Sequence, residues 1–505
     1  KISEEQRDAL RERMIEMRKK RKPAEYKNIS KNVIALPDDD TNNPGGHIVW
    51  VAIADVAYYV QPGSSLDIEA RKRGNSSYFP DRVVPMLPDA LSGNLCSLHE
   101  GVDRACMAVQ IKLNSKGVKL DHKFYRGIMC SPASLSYEQA QLAFDGKYDD
   151  ATKPLATALK DLFSAYKSAE KARDQRQPLN LDLPERKIVL SDEGKVLSVD
   201  FKNRLDAHKL VEEFMVTANV CAAETLEAVN ESLLYRVHEE PTLEKLNALR
   251  EVVEESGFQL AKGQVLKTQH LNKLLAAAEN SEDTEIINMM VLRSMSQAYY
   301  SPSSIGHFGL NLRRYAHFTS PIRRYADLIV HRALISAHKF GVDGLSLSEK
   351  DLLKETGEWI SATERRSMLA ERDTSDRYLA AFLSDRIGVE FTGRISGIAK
   401  FGLFVKLDES GADGIIPLSK LGREYWQYDD QERTLKGQDS GRVISIGMSC
   451  KVSLVDATAI TGGISLEMLE LEGKAIPKGS SRQASHNGRR ISRSKDKVKR
   501  KKKYK

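Results

Sequence analysis

Long apolar runs are missing. No stretch of the 505 residues approaches the roughly eighteen consecutive apolar residues that a membrane-spanning helix needs. The opening KISEEQRDALRERMIEMRKKRK is charged throughout and lacks the apolar core of a secretory signal. Cysteine is scarce as well. The five are Cys96, Cys106, Cys130, Cys221 and Cys450, an odd number, widely spaced, with no CxxC pair. That excludes a zinc-finger spacing and a disulfide framework, and leaves the expectation of inert thiols in a reducing cytoplasm. Aspartate is absent between Asp8 and Asp38. The chain opens on Lys1 rather than Met, as expected of a fragment or a processed form.

Charge is present but unevenly placed. From Lys474 to Lys505 there are fourteen Lys or Arg and one acid, a net +13, so that the rest of the chain carries about −6 against a total of +7. Such a tail is expected to be solvated and disordered, and to add reach for phosphates.

The patterning separates two regions. Asp38–Gly46 (DDDTNNPGG) reads as a turn-rich loop, and HIVWVAIADVAYYV after it reads as one β-rich run. Asp67–Arg73 reads as a short helix, Leu135–Ala172 as two helices around 146–150, and Lys187–Leu190 with Leu197–Phe201 as a hairpin. Apolar residues near a period of about 3.6 predict helices over His208–Val229, Thr242–Ser256, Thr268–Glu279, Ile286–Ala298, Ile322–Ala337 and Ser348–Leu383. Past a boundary near Ile387, VEFTGRISGIAKFGLFVKL, GADGIIPLSKL and MSCKVSLVDATAITGGISLEM predict five short strands, the pattern of an OB-type barrel.

Several long motifs are distinctive. GNSSYFPDRVVPMLPDALSGNLCSLHEGVDRACM, NRLDAHKLVEEFMVTANVCAA, LLYRVHEEP, SPSSIGHFGLNLRRYAHFTSPIRRYADLIVHR and SMLAERD occur in this order. Together they resemble the ribonuclease II and ribonuclease R family, and the resemblance covers roughly residues 32–475. The barrel, with FGLFVKL and GADGIIPLSKL, resembles an S1 domain.

The resemblance implies an α+β chain. A charged leader over 1–31, atypical of the family, would precede a large mixed RNB-type domain with a helical funnel over 32–386. An S1 OB-fold barrel over 387–473 and a disordered basic tail over 474–505 would follow. Nothing in the 505 residues is expected to form the family's usual N-terminal cold-shock-type domains. The implied activity is hydrolytic 3′→5′ removal of 5′-nucleoside monophosphates from single-stranded RNA, dependent on Mg²⁺, by a cytoplasmic monomer.

The residue chemistry can be weighed beside this. Tyr78, between Asn75-Ser76-Ser77 and Pro80, can stack on a base; taken alone it is equally a core tyrosine. Arg323 and Arg324 follow Thr319-Ser320-Pro321, a helix-start signal, and a helix N-terminus with arginines makes a phosphate site. By resemblance Arg323 is the transition-state arginine and Glu371 in LAERD supports the same site; taken alone, Arg323 is equally a surface helix arginine, and Glu371 reads as a solvated helix charge. His317, His331, Asp206, Glu212 and Glu213 read as structural. In the barrel, Lys400, Phe401, Phe404 and Lys406 combine stacking faces with phosphate contacts, with Phe404 equally a core residue.

One part of the family pattern is missing. Its metal-binding carboxylates come as Asp, five residues, Asp, one residue, then Asp-Asp, just ahead of the first β-run. Counting back from Asn32, those positions fall on Lys22, Asn28, Ser30 and Lys31, none acidic and two cationic. Asp38, Asp39 and Asp40, on the far side of the strand, read as a solvated turn. Ligands for Mg²⁺ are therefore not identifiable. Three readings stay open: an active exoribonuclease, an inactive relative that grips single-stranded RNA, and a product that folds poorly.

Overall fold

A computed structural model describes residues 31–476 apart from 182–184, 203, 256, 261–265, 282–283 and 431–433. The charged leader, with Lys22, Asn28 and Ser30, and the tail beyond Ile476 lie outside the described residues. The chain divides into two compact units. Of the described residues, the first holds 31–78, 82–181 and 204–369; the second holds 79–81, 185–202 and 370–476.

The first unit is built on an antiparallel four-stranded sheet. Its strands run in the order Lys31–Pro37, His47–Ala54, Asp103–Leu113, Lys119–Cys130. Alternation places Val49, Val51 and Ile53 on one face, all fully buried. They join Val109, Ile111 and Phe124 in one core with residues of three helices. Those helices are Ala156–Arg176 (Phe163, Tyr166), Asp206–Ala228 (Phe214, Ala218) and Tyr325–His338 (Leu328, Val330). Truncating a side chain such as Phe214 there would cost about 3–5 kcal/mol.

The turn between the first two strands explains Asp38–Asp40. Asp38 N donates to Gly46 O at 2.9 Å, and Asn43 Nδ2 donates to Asp38 Oδ2 at 2.7 Å and Leu113 O at 2.9 Å. Lys112 Nζ lies 2.6 Å from Asp40 and 3.2 Å from Asp38. The hydrogen bond from Asn43 holds the Asp38 carboxyl low, and that from Lys112 holds Asp40 down at about 2. Asp38 and Asp40 are consumed by the turn, and Asp39 is exposed beside them.

The apolar run after the turn is not one strand. It ends at Ala54, where buried Asp55 caps the short helix Val56–Tyr59 through Tyr58 N at 3.2 Å and accepts Arg126 Nε at 2.6 Å. The polar residue inside the run marks the change. Ser348–Leu383 likewise splits into Leu347–Asp351 and Leu353–Leu383. The two helices within Leu135–Ala172 form as Tyr137–Phe144 and Ala156–Arg176.

The second unit is a barrel of Glu390–Ala399, Gly402–Leu407, Asp413–Pro417, Ser449–Thr458 and Gly463–Leu471. The parallel pairing of Ile415 with Ser465 closes it. Leu403, Val405 and Leu407 point inward and are fully buried. A three-stranded sheet, Trp426–Asp429, Thr434–Gly437 and Val443–Ile444, is inserted before the fourth barrel strand. Strand Lys474–Ala475 pairs with the fifth, so regular structure continues past the expected barrel end at 473. The hairpin Glu185–Leu190 and Val196–Lys202 belongs to this unit: Ile188 and Val199 pack on the barrel core.

Candidate RNA-binding site

The first unit holds Tyr78 and Arg323 on a shared piece of backbone. Helix Ser65–Arg73 ends at Gly74, in the left-handed region at φ 75°. A Cβ there would lie 2.0 Å from Thr363 Oγ1, so glycine is required by both conformation and space. From Gly74 the chain runs extended against residues 323–325. Tyr325 N donates to Gly74 O at 2.9 Å, and Ser76 N to Arg323 O at 3.0 Å. Ser77 Oγ donates to Ser367 Oγ at 2.9 Å, and Met86 N to Ser76 Oγ at 2.9 Å. Tyr78 follows at once in a two-residue strand paired with Val83, and 39 % of it is exposed. It is therefore not a core tyrosine.

The two arginines differ. The sequence predicts a helix from Ile322, just after the Ser320-Pro321 signal, but the helix starts at Tyr325. Residues 320–323 form a separate turn, in which Arg323 N and Arg324 N both donate to Ser320 O, at 3.2 and 3.1 Å. Arg324 is extended (φ −139°, ψ 125°) because it pairs with Asn75. The cause is Asp327, wholly buried, whose Oδ1 accepts Ser320 N at 2.7 Å and Arg324 Nη2 at 2.8 Å and whose Oδ2 accepts Arg324 Nε at 2.7 Å. Burial opposes the charge of Arg324, but Asp327 outweighs it and raises the guanidinium's value. Arg324 is thus committed inside the protein.

Arg323 is not so engaged. Its Nε is buried without a hydrogen-bond partner among the described residues. Burial first, and the Arg324 charge second, lower its value, while the Tyr78 phenol works in the opposite direction. A desolvated cation with an unused donor is the side-chain state that an incoming phosphate relieves.

Behind this pair lies a network that sequence patterning did not expose. His317 Nδ1 is 2.9 Å from Tyr300 Oη, and its Nε2 is 3.5 Å from Arg324 Nη1. Arg236 sits 4.7 Å over the Tyr300 ring and pairs with Glu364 at 2.5 Å. Burial, then Arg324, holds His317 well below the ordinary histidine range, so it is neutral and structural. His331 is buried, with Nε2 2.8 Å from Phe318 O. Asp206 pairs with Lys209, Glu212 with Arg204 and buried Glu213 with Arg176, all scaffold contacts. The only signal for Asp327 was its place inside the motif Ser301–Arg332, and Tyr300 lies just ahead of that motif.

Glu371 lies on helix Leu353–Leu383, which starts in the first unit and passes into the second at Ala370. Its carbonyl accepts Ser375 Oγ at 2.9 Å.

Around the barrel, Phe404 and Lys406 alternate outward from the buried positions of their strand. Phe401 is 60 % exposed and meets Phe404 edge-on at 6.0 Å; Phe404, 36 % exposed, is not a core residue. Lys400 Nζ lies 5.8 Å from the Tyr428 ring centre and 3.9 Å from Asp430. Tyr428 and Arg394, the cross-strand neighbour of Lys406, join this face although the sequence did not single them out.

The described residues do not fit a magnesium site. Among them no three His, Cys, Asp or Glu gather to hold a metal, and Asp38 and Asp40 are tied to Lys112. Lys31 is described only as the first residue of its strand. Nor is any helix among the described residues long and apolar enough to cross a membrane. All five cysteines are free, four of them buried and Cys130 exposed.

Comparison with known proteins agrees with this geometry. The RNB domain model matches residues 23–339 and the S1 RNA binding domain model residues 384–469. Ribonuclease R of Escherichia coli (strain K12) is 40% identical over 414 residues, 80% of this chain and 51% of that protein. The chain thus spans about half the length of the curated relatives it matches. The structure of Mycoplasma genitalium RNase R in complex with ribose-methylated single-stranded RNA has a TM-score of 0.82 at 30% identity, covering 88% of this chain and 69% of that one. The same protein with double-stranded RNA gives a TM-score of 0.75 at 28% identity, covering 88% and 74%. By motif, fold and these matches, the chain belongs to the RNB domain family and carries an S1 RNA binding domain after its RNB domain.

Proposed function

We propose that this chain acts as a hydrolytic 3′→5′ exoribonuclease of the ribonuclease R type, which takes single-stranded RNA and releases 5′-nucleoside monophosphates. The observation that carries the reading is the backbone ladder joining 74–76 to 323–325. It holds a half-exposed tyrosine and an arginine with an unused buried donor in one place. In this role Tyr78 stacks on a base near the RNA 3′ end, worth about 1–3 kcal/mol. Arg323 binds the adjacent phosphate and opposes the charge that builds on it. Arg324, through Asp327, fixes the turn that aims Arg323 and does not itself contact RNA. Glu371 supports the same chemistry. Lys400, Phe401, Phe404 and Lys406 hold RNA on the barrel.

Residues 32–386 and 387–473 correspond, in this reading, to RNB domain and S1 domain, with strand Lys474–Ala475 extending the latter and the basic tail following it. The chain works as a cytoplasmic monomer whose tail adds phosphate contacts. The family resemblance implies a divalent metal that would activate the attacking water, and no described residue is assigned to hold it.

A second reading is favoured by the composition up to the start of the first strand, where Lys22, Asn28, Ser30 and Lys31 occupy the expected carboxylate positions. In it the chain grips single-stranded RNA without cutting. Incubating the purified chain with 3′-labelled poly(A) and Mg²⁺ separates the two. Release of labelled monophosphate that stops on Arg323→Ala establishes the enzyme. Retention of RNA without release, insensitive to EDTA, establishes the binding module.

A further inference from the structure

The hairpin Glu185–Lys202 comes from the middle of the chain, yet it packs on the barrel. Within it Arg186 and Phe201 are direct cross-strand partners, so their side chains share one face with Ile188 and Val199. Ile188 and Val199 anchor that face to the barrel core. Phe201, at the open end, stays 41 % exposed. Arg186 reaches across to the barrel, where its Nη1 donates to Gly411 O at 2.8 Å, across 225 sequence positions.

Gly411 marks where the two pieces meet. A Cβ there would lie 3.0 Å from Arg186 Cδ and 3.7 Å from Lys406 Cε. Arg186 therefore lies beside Lys406, which shares its strand face with Phe404 and its cross-strand row with Arg394. The result is a stripe of Phe401, Phe404, Lys406, Arg186 and Phe201, aromatic at both ends and cationic between. Asp413, the other cross-strand partner of Lys406, and Asp376, close enough to Arg186 to sense its charge, border it. Alternating ring faces and cations are what single-stranded nucleic acid binds, because every base has a face to stack and every step a phosphate.

We propose that the hairpin adds a single-stranded RNA subsite to the barrel: Phe201 stacks on a base while Arg186 and Lys406 hold the phosphate between it and the base on Phe404. This rests on the RNA-binding reading of Phe401 and Phe404 and extends it by at least one nucleotide.

The test uses the full chain in EDTA and fluorescein-labelled oligo(A) of two lengths, about 6 and about 16 nucleotides, near the limits of one OB fold. Binding is read by anisotropy. Phe201→Ala is expected to weaken binding of the long oligonucleotide about five-fold or more and the short one little, while Phe201→Tyr restores it. Arg186→Gln is expected to lower the salt slope by about 0.7, one phosphate on a single strand. Phe201→Leu keeps an apolar filler without a ring: loss equal to that of Phe201→Ala supports stacking, and binding like the parent chain overturns it. Unchanged binding by Phe201→Ala with weakened binding by Phe404→Ala overturns the subsite and leaves the barrel reading intact. Unchanged binding by both overturns the two together.

Discussion

Replacing Asp327 by Asn tests the claim that Arg324 is a structural residue that aims Arg323. The substitution keeps size and shape. It retains one oxygen for Ser320 N but turns an NH₂ toward Arg324 and removes the counter-charge. Arg324, whose side chain is only 18% exposed, would then be a buried cation without its carboxylate. The charge-assisted hydrogen bond from Arg324 Nε at 2.7 Å is lost, worth about 1.5–3 kcal/mol. The one from Nη2 at 2.8 Å keeps its oxygen, which Ser320 N shares, but loses its charge assistance. Breaking a buried pair from one side gives about 3–5 kcal/mol by an independent route. The three tryptophans make this measurable. Trp50 and Trp359 lie in the first unit and buried Trp426 in the second. In a Trp426→Phe background, guanidinium unfolding followed by tryptophan emission reports the first unit. Asp327→Asn should lower its stability by about 3–5 kcal/mol. Trp426 emission, read with Trp50 and Trp359 replaced by Phe, should be unmoved. Replacing both partners, as Arg324→Met with Asp327→Leu, should cost less than Asp327→Asn alone, because no charge is left stranded. A loss below about 1 kcal/mol for Asp327→Asn would refute the reasoning, since such values belong to exposed pairs.

Three further outcomes follow from the same geometry. Gly74→Ala meets both a positive φ and Thr363 Oγ1 at 2.0 Å. It should destabilise the first unit by more than about 1 kcal/mol and weaken RNA binding through Tyr78, as seen by calorimetry and anisotropy. Asp40 should titrate at about 2, and Lys112→Met should return it toward 3.8 in an NMR titration; a midpoint that does not move removes Lys112 as the cause. His307, pushed by burial down to about 3, binds a proton in the unfolded chain near 6.5 but not in the folded one. Its contribution to stability is therefore full above about 6.5 and lost as pH falls toward 3, and His307→Asn should flatten the acid limb of unfolding midpoint against pH.

Much of this protein was legible without coordinates because its signals are local. Helix Asp206–Ala228 follows from apolar spacing, the hairpin from two β-rich runs around Ser191–Lys195, and the barrel strands from alternation. The position of Tyr78 and Arg323 was legible as motif. Other features were not local. The start of helix Tyr325–His338 is set by Asp327 accepting from Ser320 and Arg324, which overrides the Ser-Pro signal four residues earlier. The resemblance singled out Arg323, but residue chemistry read along the chain could not tell it from its neighbour Arg324. The difference is which guanidinium a buried carboxylate captures and which keeps a buried nitrogen unused. It also could not place Arg186 beside Lys406, since that depends on a hairpin docking across 225 positions. Periodicity along a chain determines which faces are apolar. Only the packing of those faces decides which charges end up paired, desolvated or adjacent, because Coulomb and desolvation energies depend on distance in space and burial rather than on order in sequence.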